Sequence, residues 1–407
     1  MNFNNRRNYI LSLFLILITL ISCGDKKEEE ISDSSTLTLW DKIKKNASPQ
    51  ILLTSEFDTP SRLSNVSTLA WEDGVYVSDD GLHLFAFYAP MDLLKFVTYS
   101  DGFGACPPIA NYIRGPLLSG MDLDLAAPID NLGGCTEGVM HSDIAYASRA
   151  STSESFSAWS RHLVSNPNAA GPALFYYEGG LSTSKRSSGN YDIVFSRSTF
   201  NGNKNNLYWV QDVTSLTPAA PNIVEITGLN SVDQEDNPHL ERVDSGDDDK
   251  LIMLFDNHGD SGASDYEMLY SKSSDGGMNW NLPTSLGANI NLNTGAKDEN
   301  IQGHLFKDST NKWWLYFSSN RSGKVEIWRS EHNDSANIFT NFDDWKVPEK
   351  VMSVGSIVGG LGTIEAVGEP TLTSNGDLHF VVVYCKNAGD QTNYDSCDID
   401  PWVAVKK

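Results

Sequence analysis

The chain has 407 residues, of which 40% are hydrophobic and 10% aromatic, and its formal net charge is −23. This apolar content is enough for a packed core, which excludes a wholly disordered chain. Such an excess of carboxylates repels polyanions, so nucleic acid is excluded as a partner.

The first 22 residues have the pattern of an export signal peptide. Two arginines precede an apolar run from Tyr9 to Ile21, which is short for a transmembrane helix. The run closes with Leu20-Ile21-Ser22-Cys23, which resembles the bacterial lipobox, whose cysteine becomes the lipidated first residue of the mature chain. An ordinary secretory signal with an incidental cysteine is the alternative.

The lipobox resemblance implies a protein that is exported and anchored to the membrane of the bacterial cell envelope through a lipid on Cys23, facing either the periplasm or the cell surface. Residues 23–39 are acidic and polar, and they are expected to form a flexible tether. The remaining residues, 40–407, are expected to form one domain.

The other four cysteines are expected to form disulfides, as is usual in an exported chain. Four cysteines permit three pairings. We expect Cys106–Cys135 and Cys385–Cys397, because each pair closes a loop within a single segment. No cysteine and histidine spacing indicates zinc.

Residues from about 40 onward repeat a pattern of short β-rich runs. Each unit has an acidic start, an apolar run, a third run of acidic, aliphatic and aromatic residues, and a tryptophan close to a proline. The clearest unit, Glu299–Ser330, predicts an antiparallel meander that must stack against similar units because both its faces are apolar. The copies of the third run are Asp143–Tyr146, Asp192–Ser196, Glu267–Ser271, Glu326–Ser330 and Asp398-Ile399.

Three stretches, Val77–Gly81, Leu315–Arg321 and Thr373–Leu378, resemble the WD40-like repeats of TolB-type periplasmic propellers. The resemblance covers about residues 60–407 and implies an all-β propeller of four-stranded antiparallel sheets. We count five blades, beginning near residues 72, 155, 233, 298 and 367.

The fifth blade lacks an outer strand because the chain ends at Lys407. The segment Gln50–Pro60 is expected to supply that strand and close the ring. A sixth blade built from residues 36–70 is the alternative.

Two insertions interrupt the repeats. Residues 89–138 are rich in glycine and proline, and they are expected to form a disulfide-stapled flap over one face of the first blade. Glu178–Asn190, rich in glycine and serine, is expected to be a second and more mobile loop.

The acidic starts of the repeats are the candidate ligand-binding residues: Glu72, Asp73, Glu235, Asp236, Asp298, Glu299 and Glu369. The first strand of a propeller blade lines the central channel, so these side chains are expected to converge on one mouth. Converging carboxylates need a cation, hydrogen-bond donors or a raised pKa. A site for a metal or a polyhydroxyl ligand is one interpretation. A repeated structural device, in which each carboxylate accepts backbone N–H groups, is the other, and it is favoured because repeat positions serve packing first.

The acidic starts are also similar to those of five-bladed glycosidases of the arabinanase and fructosidase type. Those enzymes carry a base aspartate on the first blade, a helper aspartate on the second and an acid glutamate on the third. Asp73 and Glu235 match the first and the third positions. The second has no clear counterpart, because Asp143 falls on a predicted third strand.

Two further motifs are weaker. Ser273–Trp280 matches a single Asp-box, a turn motif that is not by itself evidence of a sialidase. The acidic loops at residues 245–249 and 256–265 lack the spacing of an EF-hand, so they are interpreted as solvated turns and no cofactor is expected. Calcium bound at these loops or at the acidic starts is the alternative.

The first expectation is therefore an exported, lipid-anchored propeller that binds a protein partner or a small ligand without catalysis. The alternative is a carbohydrate-active glycoside hydrolase that uses Asp73 and Glu235.

Overall fold

The computed structural model describes residues 38–93, 113–121, 142–165, 176–199, 205–231, 233–244, 246–258, 266–292, 298–386 and 397–407. The signal peptide, Cys23, most of the tether, and Cys106 with Cys135 lie outside these residues. No helix within them is long and apolar enough to cross a membrane.

The chain forms strands almost throughout. One helix, α1 (Leu39–Asn46), begins at a capping box in which Thr38 and Asp41 bond to each other's backbone N–H groups. Two short 3-10 helices span Ser64–Val66 and Ser335–Asn337. The strands are β1 (Ala47–Ile51), β2 (Ser61–Arg62), β3 (Trp71–Val77), β4 (His83–Ala89), β5 (Asp143–Ser148), β6 (Ser160–Arg161), β7 (Tyr176–Lys185), β8 (Tyr191–Thr199), β9 (Asn205–Val213), β10 (Val224–Glu225), β11 (Gln234–Asp244), β12 (Asp247–His258), β13 (Glu267–Ser273), β14 (Thr284–Ser285), β15 (Asn300–Lys307), β16 (Trp313–Ser319), β17 (Glu326–Glu331), β18 (Glu349–Ile357), β19 (Gly362–Leu372), β20 (Leu378–Lys386) and β21 (Cys397–Ala404).

These strands form five antiparallel sheets arranged as a five-bladed propeller, which confirms the predicted fold class. From the axis outward, blade 1 is β3-β4-β5-β6, blade 2 is β7-β8-β9-β10 and blade 3 is β11-β12-β13-β14. Blade 4 is β15-β16-β17-β18 with β1 added at its outer edge, and blade 5 is β19-β20-β21-β2.

The N-terminal segment closes the ring, as expected, but with a different strand. The outer strand of blade 5 is β2, just beyond the predicted segment Gln50–Pro60, and it pairs with β21 through Ser61 and Arg62. Residues 36–70 do not form a sixth blade, because β1 pairs with β18 and β2 pairs with β21. The N-terminal segment therefore joins two blades that already exist.

The strands of blade 2 begin at other residues than the sequence predicted. Its inner strand is β7 and begins at Tyr176 rather than near residue 155, while Ser160 and Arg161 form the outer strand of blade 1. Asp192–Ser196 consequently lies on the second strand, β8. The expected loop at Glu178–Asn190 is largely strand, because Gly179 and Gly180 approach blade 3 closely: a Cβ on Gly180 would lie 2.7 Å from the Oδ1 atom of Asn237.

The core is divided among the interfaces between neighbouring blades. Described buried apolar residues form five clusters, one for each pair of neighbours. At the interface of blades 5 and 1, for example, Val381 and Val383 pack with Val75 and Val77. Each sheet therefore buries both faces, which is why its central strand is apolar on both sides.

A ring of hydrogen bonds near the axis links successive blades. Ser182, His239, His304 and Thr371 lie at equivalent positions on four inner strands, and each accepts the backbone N–H of the next blade. The donors are Leu240 at 3.0 Å, Leu305 at 3.2 Å, Leu372 at 3.1 Å and Val77 at 3.4 Å. The remaining link runs from the Tyr76 hydroxyl to the carbonyl of Thr183 at 2.7 Å.

A buried lysine from α1 lies at the seam where blade 5 meets blade 1. The Nζ atom of Lys44 is 2.7 Å from Asp398 and 2.8 Å from Asp400, and all three side chains are almost completely buried. Arg114 contributes a second cation, at 3.2 Å from Asp398. Removing any one of these charged groups would therefore leave another buried without its counter-charge, which destabilises the fold.

We expect Lys44→Met to lower the free energy of unfolding by about 3 kcal/mol, because it leaves buried carboxylates without their main counter-charge. Urea unfolding of the full chain measures the effect. The matched control is Lys45→Met at an exposed neighbouring position, expected within about 0.5 kcal/mol of wild type. Equal effects of the two substitutions would contradict the role of Lys44.

His239 makes the stability of the ring depend on pH. Burial lowers its pKa to about 4, so between about pH 6.5 and 4 the unfolded chain binds a proton that the folded chain does not. The stabilisation by His239 is complete above that window and is lost as the pH falls through it.

We expect His239→Gln, which keeps an acceptor but does not titrate, to cost about 1 kcal/mol near pH 7. The difference from wild type should shift by about 3 kcal/mol in favour of the variant near pH 4. Urea unfolding at both pH values is the measurement. Parallel pH dependences of the two proteins would rule this out.

Candidate functional site

Every inner strand is irregular at the same position. The pairing with the second strand shifts after Asp73, Glu178, Asp236, Ile301 and Gly368. Gly74, Asn237, Gln302 and Glu369 each come directly after the shift, whereas Gly180 comes two residues after Glu178. All five line the space around the axis. Four of them have a left-handed backbone, with φ of 59° at Gly74, 47° at Asn237, 58° at Gln302 and 57° at Glu369. Bulges of this kind re-aim side chains, here toward the axis.

A pocket lies where the inner strands begin. Its empty volume is about 620 Å³, which includes the open space at its entrance. Five carboxylates line it, and we call them the acidic mouth: Asp73, Asp236, Asp256, Glu299 and Glu369. Asn237, Gln302, Phe87 and Tyr266 are also in its wall. Among the residues described at this pocket, none is a lysine or an arginine.

Three of the seven candidate residues lie outside the pocket. Glu72 and Glu235 are completely buried, because neighbouring residues of a strand point to opposite faces. Each accepts hydrogen bonds from the backbone N–H and the hydroxyl of a residue four positions earlier, Thr68 and Ser231 respectively. Burial, together with Asp400 and Asp398, raises the pKa of Glu72 well above its usual range. Asp73, Asp236, Glu299 and Glu369 do line the pocket, whereas Asp298 does not.

Asp73 and Glu369 form a carboxyl pair across the seam between blades 1 and 5. Their carboxyl groups lie within hydrogen-bonding reach of each other, and a hydrogen bond between them forms only when one of the two carries a proton, because an ionised carboxylate has no donor. Burial, and then the charge of Asp73, raises the pKa of Glu369 well above its usual range. The indole N–H of Trp71 donates to Asp73 at 3.1 Å.

The carboxyl group of Glu369 is also held by N–H donors. Val75 donates its backbone N–H to Oε2 at 3.1 Å, and the side-chain amide of Gln302 donates to Oε1. The backbone N–H of Glu369 donates to the hydroxyl of Ser318 at 2.8 Å. Three blades therefore fix the position of this one side chain.

Asp236 and Asp256 form the wall provided by blade 3. Asp236 accepts bonds from Ser196 and from Asn205, and Asp256 accepts the backbone N–H of Gln302 at 2.9 Å and the amide of Asn237 at 2.8 Å. Burial raises the pKa of both carboxyls in spite of these donors. The sequence singled out Asp256 only as the first residue of an acidic loop that could bind calcium, and not as a residue of the axial site.

Glu299 is a buried residue of the pocket wall, and its backbone is held by two neighbouring residues. Its N–H donates to the side chain of Asn320 at 3.0 Å, and its carbonyl accepts the N–H of Asn320 at 3.2 Å. A parallel bridge joins it to Tyr266 of blade 3. These contacts hold its Cα while the side chain lies in the pocket wall.

The insertion expected at residues 89–138 leaves and rejoins blade 1 at the acidic mouth. Ala89 pairs with Trp71, and Asp143 pairs with Tyr88. Arg114, in a described part of the insertion, bonds to Asp92 and to the carbonyl of Cys397. The predicted disulfide Cys385–Cys397 is present, and it joins β20 to β21 within blade 5.

A metal site receives no support from the described residues. No group of three or more histidine, cysteine, aspartate or glutamate side chains among them is arranged to hold a metal ion.

No protein-family model matches the sequence, and no curated protein matches it. Solved structures share its propeller fold. A GH43 glycoside hydrolase with endo-xylanase and exo-arabinofuranosidase activity is 10% identical over 86% of this chain and 52% of its own, with a TM-score of 0.44. A GH62 hydrolase in complex with xylotriose is 8% identical over 84% of this chain and 92% of its own, with a TM-score of 0.44.

A third structure, an N-acetylgalactosamine deacetylase from F. plautii, is 10% identical over 86% of this chain and 96% of its own, with a TM-score of 0.44. The chain spans about half the length of the GH43 proteins. At these identities no residue role is transferred to this chain.

The expectation of a non-catalytic binding propeller is corrected by these comparisons, because the similar structures are mostly glycoside hydrolases.

Proposed function

We propose that the chain is a carbohydrate-active enzyme that hydrolyses glycosidic bonds at the acidic mouth. The observation that carries the proposal is the proton-holding pair of Asp73 and Glu369 in an open pocket. Glycoside hydrolysis needs one carboxylic acid that stays protonated near neutral pH and a second carboxylate that remains ionised.

Glu369 is the proton donor in this proposal. Burial and the neighbouring charge of Asp73 keep its pKa high, so it can protonate the leaving oxygen of a glycoside. Asp73 acts through Glu369, by disfavouring loss of its proton. This assignment replaces the sequence-based pair of Asp73 and Glu235, because Glu235 is completely buried and bonds to Ser231 outside the pocket.

Glu299 is the second carboxylate. It lies in the same pocket wall, on a backbone held by Asn320 and Tyr266, where it can activate water or attack the anomeric carbon. Asp236 and Asp256 line the rest of the pocket with carboxyl oxygens, whose partial negative charge stabilises the positive charge that develops on the sugar ring in the transition state.

The charge of the pocket selects its substrate class. The described lining residues include five carboxyl groups and no lysine or arginine, so the pocket has no counter-charge for uronic acids, sialic acids or sulfated sugars. Neutral glycans are therefore the proposed substrates.

We expect Glu369→Gln to lower kcat/KM by about 10²- to 10⁴-fold on neutral oligosaccharides such as xylotriose and arabinotriose. The loss should be much smaller on aryl glycosides with good leaving groups, which need little protonation. The matched control is Glu365→Gln, on the same strand as Glu369. This substitution removes an ion pair with Lys324 and should keep wild-type rates. Equal rates for Glu369→Gln and its control would exclude the proposed acid.

The pH profile provides a second readout of the same experiment. The alkaline limb of kcat/KM reports the proton donor of the free enzyme. Asp73→Asn removes the negative charge beside Glu369, so the limb should move to lower pH. If the alkaline limb does not move in Asp73→Asn, then the charge of Asp73 does not influence the proton donor.

We also propose that the protein is exported and lipid-anchored through Cys23, on the basis of the sequence Leu20-Ile21-Ser22-Cys23. We expect Cys23→Ala to move the full chain expressed in a bacterium from the membrane fraction to the soluble fraction, whereas Ser22→Ala should leave it in the membrane. Equal membrane content of the two variants would reject the anchor.

A further inference from the structure

Gln302 occupies the bulge position of blade 4 and has a left-handed backbone. The equivalent residues of blades 1 and 2 are Gly74 and Gly180. Glycine adopts this conformation without steric cost, whereas glutamine does so at an energetic penalty. The fold alone would therefore be served better by glycine at residue 302.

The backbone of Gln302 does what the propeller requires of this position. Its N–H donates to Asp256 on the second strand of the preceding blade. In the same way, the N–H of Glu369 donates to Ser318 on the second strand of blade 4. Neither bond involves the side chain of Gln302, so that side chain is available for another purpose.

The side chain of Gln302 is fixed in one orientation. The Ser318 hydroxyl donates to its Oε1 atom at 2.8 Å, so its NH₂ group is the end that faces Glu369 and donates to Oε1 of that carboxyl. Ser318 also accepts the N–H of Glu369, which closes a loop of hydrogen bonds through three residues. The amide cannot flip without breaking two of these bonds.

We propose that Gln302 is a positioning residue that holds the carboxyl of Glu369 toward the pocket and limits how tightly it binds its proton. An N–H donor stabilises the ionised form of a carboxyl, in opposition to burial and to Asp73. The inference rests on the proposed function for its catalytic meaning, but the titration of Glu369 exists whether or not a glycoside is turned over.

The test compares Gln302→Gly with Asn237→Gly in the full chain. Both substitutions relieve a left-handed residue, but Asn237 donates its side-chain amide to Asp256 rather than to Glu369. The carboxyl of Glu369 is titrated by infrared difference spectroscopy without substrate, and its band is assigned with Glu369→Gln. Urea unfolding of each variant monitors the fold.

We expect Gln302→Gly to raise the pKa of Glu369 by about one unit, the effect of losing one hydrogen bond to a charged group, without loss of stability. Asn237→Gly should leave that titration where it is in wild type. If the enzyme is active, the alkaline limb of kcat/KM should move upward with the titration of Gln302→Gly.

An unchanged Glu369 titration in Gln302→Gly, or an equal shift in both variants, would overturn the role of Gln302. Absence of glycoside turnover together with a shifted titration would instead refute the proposed function and leave the role of Gln302 standing. The two ideas therefore fail in different experiments.

Discussion

The molecule depends on the hydrogen bonds that pass from blade to blade around its axis. Ser182, His239, His304 and Thr371 each accept a backbone N–H from the next inner strand. These bonds are short-range and buried, so they fix the inner strands relative to one another more strictly than the apolar packing farther out, which tolerates exchange of volume. The bulge residues lie two positions before these acceptors on the same strands, so their side chains are also held in defined positions. A site made from five different strands requires this.

The repeated bulge separates the needs of the fold from those of the site. Its backbone does the same work in blades 4 and 5, since the N–H of Gln302 bonds to Asp256 and that of Glu369 bonds to Ser318, each on the second strand of the preceding blade. Its side chain is then free to differ: glycine in blades 1 and 2, an amide in blades 3 and 4, and a carboxylate in blade 5. Repetition provides the scaffold, and departures from repetition provide the chemistry.

Much of the architecture was predictable because it follows from local patterns. Alternating apolar runs with turn residues predicted the blades, and the short final unit predicted closure by the N-terminal segment. The inner strand of blade 2 was missed because Gly179 and Gly180 read as a loop; their requirement is tertiary, a close approach to Asp236 and Asn237. Asp73 and Glu369 could be found as acidic strand starts, but their pairing could not, since it depends on the first and last blades meeting. Asp256 was interpreted as the start of an acidic loop, and Gln302 as an ordinary polar residue in the first run of the unit Glu299–Ser330. Neither was therefore assigned to the axial site.

The location of the carboxyl pair links the proposed chemistry to the completion of the fold. Asp73 belongs to blade 1 and Glu369 to blade 5, and the hydrogen bond from Val75 to Glu369 spans 294 residues of sequence. Nothing brings these groups together until the ring closes. Closure is secured by β2 in the outer position of blade 5 and by Lys44 between Asp398 and Asp400. An open ring would expose Glu369 to water and separate it from Asp73, which removes both causes of its high proton affinity. The protonated acid is therefore a property of the closed propeller, and it is lost whenever the seam opens.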